Sequence, residues 1–229
     1  MALVLSGGTG SRMGRPKQFI ELLGVPALLY ALRAFQEAPE VGRIYAVGDQ
    51  CRVENLVEEA GISKYAGCAP PGESRSLSTR SGLLLLEETP ETVILVHDGS
   101  RCLVTPDLIR NVVAAVAGDP NADGVIPALP VPDTTKVVEN GTIVETLDRT
   151  RLYAVQTPQA FRLGVLRKAY AASEERLRAA TDDAFLVEKV GGRVLVVAGE
   201  RTNIKLTSPE DLILAEAILG ARADARAGA

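Results

Sequence analysis

Apolar residues in this chain follow two patterns. Some form short unbroken runs, at Ala2 to Leu5, Ile44 to Val47, Val93 to Val96 and Gly124 to Leu129, while Arg193 to Val197 reads as a further strand. Runs of this length predict strands buried on both faces of a parallel sheet. Others recur every three or four positions, as in Pro26 to Phe35. There Leu28, Leu29, Leu32 and Phe35 share one face, and Pro26 suits a first helical turn. Val53 to Ala60, Pro106 to Val116 and Leu163 to Ala172 predict further helices. Ser208, Pro209 and Asp211 open a last helix that ends near Leu219, leaving Arg222 to Ala229 as a frayed tail. Strand and helix alternate, which predicts an α/β fold: a Rossmann-like, mostly parallel sheet with helices on both faces. In such sheets ligands sit beyond the carboxyl ends of the strands.

One segment breaks the alternation. Asp133 to Arg149 carries Asn140-Gly141 between two β-branched runs, which predicts a β-hairpin. An antiparallel arm of two strands does not bury both of its faces alone, so packing on a second copy in a symmetric dimer is expected. We therefore expect one domain over residues 1–229 with an arm inserted at 133–150. Composition then narrows the function. The 229 residues are 46% hydrophobic, enough for a substantial core. Net charge is −4 with no basic block, which argues against a nucleic-acid partner. No apolar run reaches membrane-spanning length, and Met1 directly precedes the first strand. Cys51, Cys68 and Cys102 lack metal-ligand spacing and predict buried free thiols. A soluble cytoplasmic protein is expected.

Candidate chemistry concentrates where the first strand ends. Ser6-Gly7-Gly8-Thr9-Gly10-Ser11 is too rich in glycine for helix or strand, and its main-chain N–H groups suit a phosphate. Arg12 and Lys17 follow, with Pro16 fixing the approach to Lys17. The alternatives are a dinucleotide loop, a Walker A loop and a plain tight turn. Gly8-Thr-Gly10 followed by Gly14 misses the dinucleotide spacing by one, and no Gly-Lys-Ser/Thr is present. A triphosphate site leads. Asp98 falls at the carboxyl end of the Val93 strand, beside the expected triphosphate, where one carboxylate suits a Mg²⁺ held mainly by phosphate oxygens and water. His97 is the only histidine; on a strand its side chain points away from that of Asp98, which favours a structural role over a Ser-His-Asp hydrolase.

Ser6 to Phe19, with Met-Gly-Arg-Pro-Lys-Gln-Phe at its end, resembles the signature of the sugar-phosphate nucleotidylyltransferases, and Pro-Lys-Gln is similar to the methylerythritol phosphate cytidylyltransferase branch. Later segments resemble that branch in the same order. Pro71-Gly72-Glu-Ser-Arg75-Ser-Leu-Ser78-Thr-Arg-Ser-Gly82-Leu resembles its second nucleotide segment, with Pro71 in place of a glycine and Thr79 of a valine. By residue type alone, Gly72 and Ser78 either approach a base or form a loop feeding a serine-capped helix. Val96-His-Asp-Gly99-Ser100-Arg101-Cys102 resembles Val-His-Asp-Ala-Ala-Arg-Pro. Gln156-Thr157-Pro-Gln-Ala-Phe161, Thr181-Asp-Asp-Ala184 and Asn203-Ile-Lys205 complete the set. Either Thr181 or Asp182 would also cap the helix that follows.

The resemblance implies that a phosphate oxygen of a polyol phosphate attacks the α-phosphorus of CTP and releases pyrophosphate. The acceptor, with a second pKa of about 6, is already anionic at neutral pH and needs no general base. It further implies Arg12, Lys17 and Lys205 at the phosphates, and Ser6, Gly7, Gly8, Gly10, Gly72, Ser78 and Gly99 around the nucleotide. Arg101, Thr157 and Thr181, with Thr134 and Arg149 of a partner subunit, would hold the acceptor. Ribitol 5-phosphate as acceptor, and a nucleotide-binding module without turnover, are the alternatives.

Overall fold

The computed structural model describes residues 1–8, 14 and 16–227. From the amino terminus the elements are β1 (Ala2–Leu5), the short pair β2 (Glu21–Leu22) and β3 (Val25–Pro26), α1 (Ala27–Glu37), β4 (Ile44–Val47), α2 (Gln50–Ala60) and β5 (Tyr65–Ala69). Next come α3 (Arg75–Leu83), β6 (Val93–Asp98), α4 (Pro106–Gly118) and β7 (Gly124–Pro130). The hairpin β8 (Lys136–Glu139) and β9 (Thr142–Thr146) follows, then β10 (Tyr153–Val155) and β11 (Gln159–Arg162). The chain finishes with α5 (Leu163–Tyr170), α6 (Glu174–Ala179), α7 (Asp183–Lys189), β12 (Val194–Ala198) and α8 (Pro209–Ala227).

β1 lies between β4 and β6 and runs parallel to both, with Leu5 opposite Val47 on one side and Asp98 on the other. β5 extends the sheet beyond β4, and β12 runs parallel to β7. Because successive side chains of a strand face opposite ways, Ala2 and Val4 pack against α1, α2 and α4, whereas Leu3 packs against α3, α5 and α7. The sheet is thus covered on both faces, as the apolar runs require. The chain moves from β1 outward through β4 and β5, then crosses back to β6 on the other side of β1. That reversal opens a crevice at the carboxyl ends of β1 and β6.

Two antiparallel strands were not legible in the sequence. β11 pairs with both β6 and β7, and β10 pairs with β7, because the chain re-enters the sheet against the direction in which it left. β5, interrupted by Gly67, also lacked an unbroken apolar run. The last helix corrects an expectation: α8 continues to Ala227 instead of ending near Leu219. Leu212, Ile218 and Leu219 pack on Leu22, Cys102 and Leu206, and Arg222 donates to the Leu103 carbonyl and Thr202 Oγ1. The thiols also differ from expectation. All three are free, but only Cys102 is buried, its pKa pushed up to about 12 by desolvation, while Cys51 is exposed. No helix among the described residues is long and apolar enough to cross a membrane.

The hairpin forms as read. Asn140 and Gly141 take positive φ angles of 50° and 78°, the pair of left-handed residues a two-residue turn demands. β8 and β9 pair only with each other, leaving Val138, Ile143 and Val144 at least half exposed (55%, 60% and 53%).

Phe35 is fully buried among α1, β4 and α4 residues and meets the His97 ring edge-on at 5.1 Å. Phe35→Ala is expected to lower the unfolding free energy in urea by about 3–5 kcal/mol. A loss below about 1 kcal/mol would mean that this face is not close-packed.

Candidate active site

Two adjoining clefts open at the crevice between β1 and β6. The larger, about 440 Å³, is lined by Gly7, Gly8, Lys17, Gly72, Ser78, Asp98 and Lys205, among others. The smaller, about 280 Å³, is lined by Arg101, Thr157 and Thr181 with Gln156 and Asp182. Arg75, Asp98 and Lys205 face both. The fold thus brings most of the sequence-derived site together and divides it between the two clefts.

Several of those residues act on the protein itself. The Ser6 hydroxyl donates to the Val47 carbonyl at 3.0 Å, tying the first loop to β4 behind the cleft wall. A Cβ on Gly7 would fall 2.2 Å from Pro71 Cβ, so this glycine admits the second loop against the first. Gly72 is needed for a similar reason, since a Cβ there would meet the Leu77 backbone at 2.6 Å. The Ser78 hydroxyl accepts from Gly72 N–H at 3.0 Å and lies 2.9 Å from the Ser74 carbonyl. Ser74 in turn accepts from Leu77 N–H and caps α3. The loop feeding a serine-capped helix is thus present at Gly72 and Ser78, and both residues also line the larger cleft. Gly99 likewise sits behind the cleft, where a Cβ would meet the Leu5 carbonyl oxygen at 2.8 Å. Gly10 and Arg12 lie outside the described residues.

Asp98 is the electrostatic centre. Its Oδ1 accepts from Arg75 Nε at 2.8 Å and its Oδ2 from Lys205 Nζ at 2.7 Å. Burial alone would raise its pKa; Arg75 and then Lys205 outweigh burial and hold it well below the usual carboxylate range. Arg75 Nη2 also lies 2.8 Å from Asp183 Oδ2, an ion pair off hydrogen-bond alignment, while Asp183 Oδ1 accepts the Tyr170 hydroxyl at 2.5 Å. Arg75 matched the family pattern but was absent from the sequence-derived site. Its partners are 23 and 108 residues away, and no local pattern pairs them.

His97 is completely buried. Its ring nitrogens contact Thr157 Oγ1 at 3.0 Å through Nδ1 and the Arg101 carbonyl at 3.1 Å through Nε2. The arrangement closes if Nε2–H donates to that carbonyl and the Thr157 hydroxyl donates to Nδ1 while accepting from Asp98 N–H at 3.1 Å. Thr157 and His97 thus hold the backbone of Asp98 in place. Burial lowers the His97 pKa to about 4, so the ring is neutral at pH 7.

In the smaller cleft, the Arg101 guanidinium donates to the Asn203 and Val155 carbonyls at 2.9 and 3.1 Å, contacts that do not cancel its charge. Asp182, not Thr181, caps α7 by accepting from Phe185 N–H, which leaves Thr181 on the cleft. Lys17 Nζ donates to the Leu206 carbonyl at 3.1 Å, joining the first loop to the Lys205 segment. Gln18, also missed, donates from Nε2 to the Ser6 and Gly8 carbonyls and clamps the glycine loop. Gln156 and Asn203 fasten the Lys205 segment from below, through Glu200 and the Thr157 carbonyl. Thr134 and Arg149 are exposed and line neither cleft; Arg149 donates to the Pro132 carbonyl within the arm.

Among the described residues, no three of His, Cys, Asp and Glu stand close enough to cage an ion. Asp98 offers a single ionised carboxylate whose two oxygens have about four acceptor positions, of which the two cations take one each. That fits a Mg²⁺ bound chiefly by a ligand's phosphates.

Because the unfolded chain carries a His97 of ordinary pKa, it binds more protons than the folded chain between about pH 6.5 and pH 4. Stability from this group is therefore complete above pH 6.5 and lost as pH falls toward 4. Urea unfolding at pH 7 and pH 5 should show a steeper loss in the wild type than in His97→Gln; parallel losses would mean that the histidine is not kept neutral by burial.

Comparison with known proteins extends across the chain. The family model for 2-C-methyl-D-erythritol 4-phosphate cytidylyltransferase matches residues 1–221. The protein so named in Rubrobacter xylanophilus is 65% identical over 222 residues, spanning 97% of this chain and 95% of that one. Its namesake in Geobacter metallireducens is 41% identical over 227 residues, covering 95% and 96%. Among solved structures, the Thermus thermophilus enzyme of that name aligns with a TM-score of 0.75 at 30% identity, over 95% of this chain and 97% of that one. The Francisella tularensis enzyme gives 0.79 at 27%, over 93% and 97%. Sequence and sheet agree from end to end: the chain belongs to the 2-C-methyl-D-erythritol 4-phosphate cytidylyltransferase family.

Proposed function

We propose that the two clefts are the two halves of a cytidylyltransfer site, the larger for CTP and the smaller for 2-C-methyl-D-erythritol 4-phosphate, with Asp98 and Lys205 at the point of reaction. The observation that carries this placement is the Asp98–Lys205 pair, which faces both clefts at once. An acceptor phosphate held by Arg101 and Thr181 would meet the α-phosphorus of CTP there. The acceptor oxygen forms the new P–O bond as the bond to the pyrophosphate oxygen breaks, and no proton needs to move. The difficulty is the meeting of two polyanions. Lys205 at the α-phosphate, with Lys17 and Arg12 at the triphosphate, would stabilise charge on the equatorial and leaving oxygens. Asp98 would hold a divalent cation against the triphosphate, where such an ion neutralises charge on phosphate oxygens. Neutral His97, with both nitrogens occupied, orients Asp98 and does not exchange protons.

The arm supplies the rest in a homodimer. Its exposed valines and isoleucine, and the fact that Thr134 and Arg149 line neither of their own clefts, support its reaching a neighbouring copy. A coupled assay of pyrophosphate release with CTP and each polyol phosphate tests the function. Turnover with ribitol 5-phosphate alone would reassign the acceptor, and none with either would leave a binding module.

Lys205→Ala and Arg12→Ala should each lower kcat by about 10²–10³ while weakening CTP binding by only about tenfold, as for loss of one preorganised donor. Equal losses in CTP affinity with kcat intact would move them to ground-state binding. Activity should also vanish in excess chelator.

Lys17→Ala and Arg149→Ala homodimers should both be nearly inactive. Unfolded together and refolded, they should recover activity, because in a mixed dimer one site collects both lesions and the other neither. About half of the heterodimer sites would then be intact. Confirmed heterodimers without turnover would return the arm to its own site.

A further inference from the structure

Asp98 has two counter-ions of different character. Lys205 reaches it from a side chain 39% exposed to solvent, whereas Arg75 is 24% exposed and is held at its far end by Asp183, whose side chain is fully buried. Asp183 is itself fixed by the Tyr170 hydroxyl and sits in the first turn of α7, while Arg75 opens α3. Burial disfavours the Arg75 charge, and Asp183 and Asp98 more than reverse that. One cation is therefore fastened between two helices and the other stands on a flexible stem at the mouth of the clefts.

A carboxylate with only one cation holds it strongly, since leaving would strand a buried charge. We propose that Arg75 is a positioning residue of the nucleotide site: anchored on Asp183, it is the standing counter-ion of Asp98 and so frees Lys205 to leave Asp98 for the incoming triphosphate. This rests on the placement of the triphosphate at Lys205 given above. Arg75 contributes by relieving a competition between a carboxylate and a phosphate for the same ammonium, without touching the phosphate itself.

The test is CTP binding by calorimetry in excess chelator, which needs neither metal nor turnover. Arg75→Gln is combined with Asp183→Asn, so that no buried carboxylate is left unpaired and Tyr170 keeps an acceptor. In the wild-type background the pair should weaken CTP binding by about tenfold, the scale of one charge-assisted contact. In an Asp98→Asn background, where nothing competes for Lys205, the same pair should cost less than about twofold, a difference only a coupling through Asp98 produces. A tenfold loss in both backgrounds would overturn the proposal, because Arg75 would then contact CTP or merely support the fold. An undiminished affinity in the wild-type background would overturn it as well. If the paired change unfolds in urea controls, Arg75→Lys replaces it: a compact ammonium lacks the separate Nε and Nη2 donors with which Arg75 meets Asp98 and Asp183, and the same dependence on Asp98 is expected. Lys205→Ala run alongside separates the two levels. If it leaves metal-free CTP affinity unchanged, the triphosphate placement itself fails; if it weakens binding while the Arg75 effect ignores Asp98, only the Arg75 role fails.

Discussion

A buried carboxylate is tolerated only when charges and hydrogen bonds surround it, and Asp98 shows how much of a fold that requirement recruits. Its backbone N–H is taken by Thr157, which is fixed by His97, which is fixed by the Arg101 carbonyl. Its side chain is taken by Arg75 from α3 and by Lys205 from the segment before α8. Three parts of the chain distant from Asp98 in sequence, at Arg75, Thr157 and Lys205, converge on it because each supplies one partner. The two clefts exist where they do because this carboxylate lies at the end of β6, beside the end of β1, at the reversal of strand order.

The same economy explains the glycines and hydroxyls. Gly7, Gly72 and Gly99 are small because another part of the chain passes within a side chain's reach, and Ser6 and Ser78 spend their hydroxyls on backbone groups. These positions build a rigid cradle. The cations on longer stems that line the larger cleft, Lys17 and Lys205, suit a polyanionic ligand better than neutral hydroxyls would.

Much of this was legible in the linear order of residues. Unbroken apolar runs predicted β1, β4, β6, β7 and β12, helical spacing predicted α1, α2, α4 and α5, and Asn140-Gly141 predicted the hairpin turn. Those features depend on near neighbours, and local periodicity reports them directly. The glycine loop, Lys17 and Asp98 were legible because they follow strands that the apolar runs place, whereas Lys205, between β12 and α8, was legible only through the family resemblance. β10 and β11 were not, because their place in the sheet is set by long-range pairing with β6 and β7 rather than by their own residues.

What only the tertiary structure decided is which charges meet. Sequence could place Asp98 at a strand end and Arg75 at a helix start. It held no sign that Arg75 would bridge Asp98 to Asp183, that Gln18 would clamp the first loop, or that Thr157 would turn its hydroxyl toward His97. The physical reason is one of range. Helix and strand propensities act over a few residues, so the chain order encodes them, whereas an ion pair depends on two atoms within about 4 Å, whatever number of residues separates them.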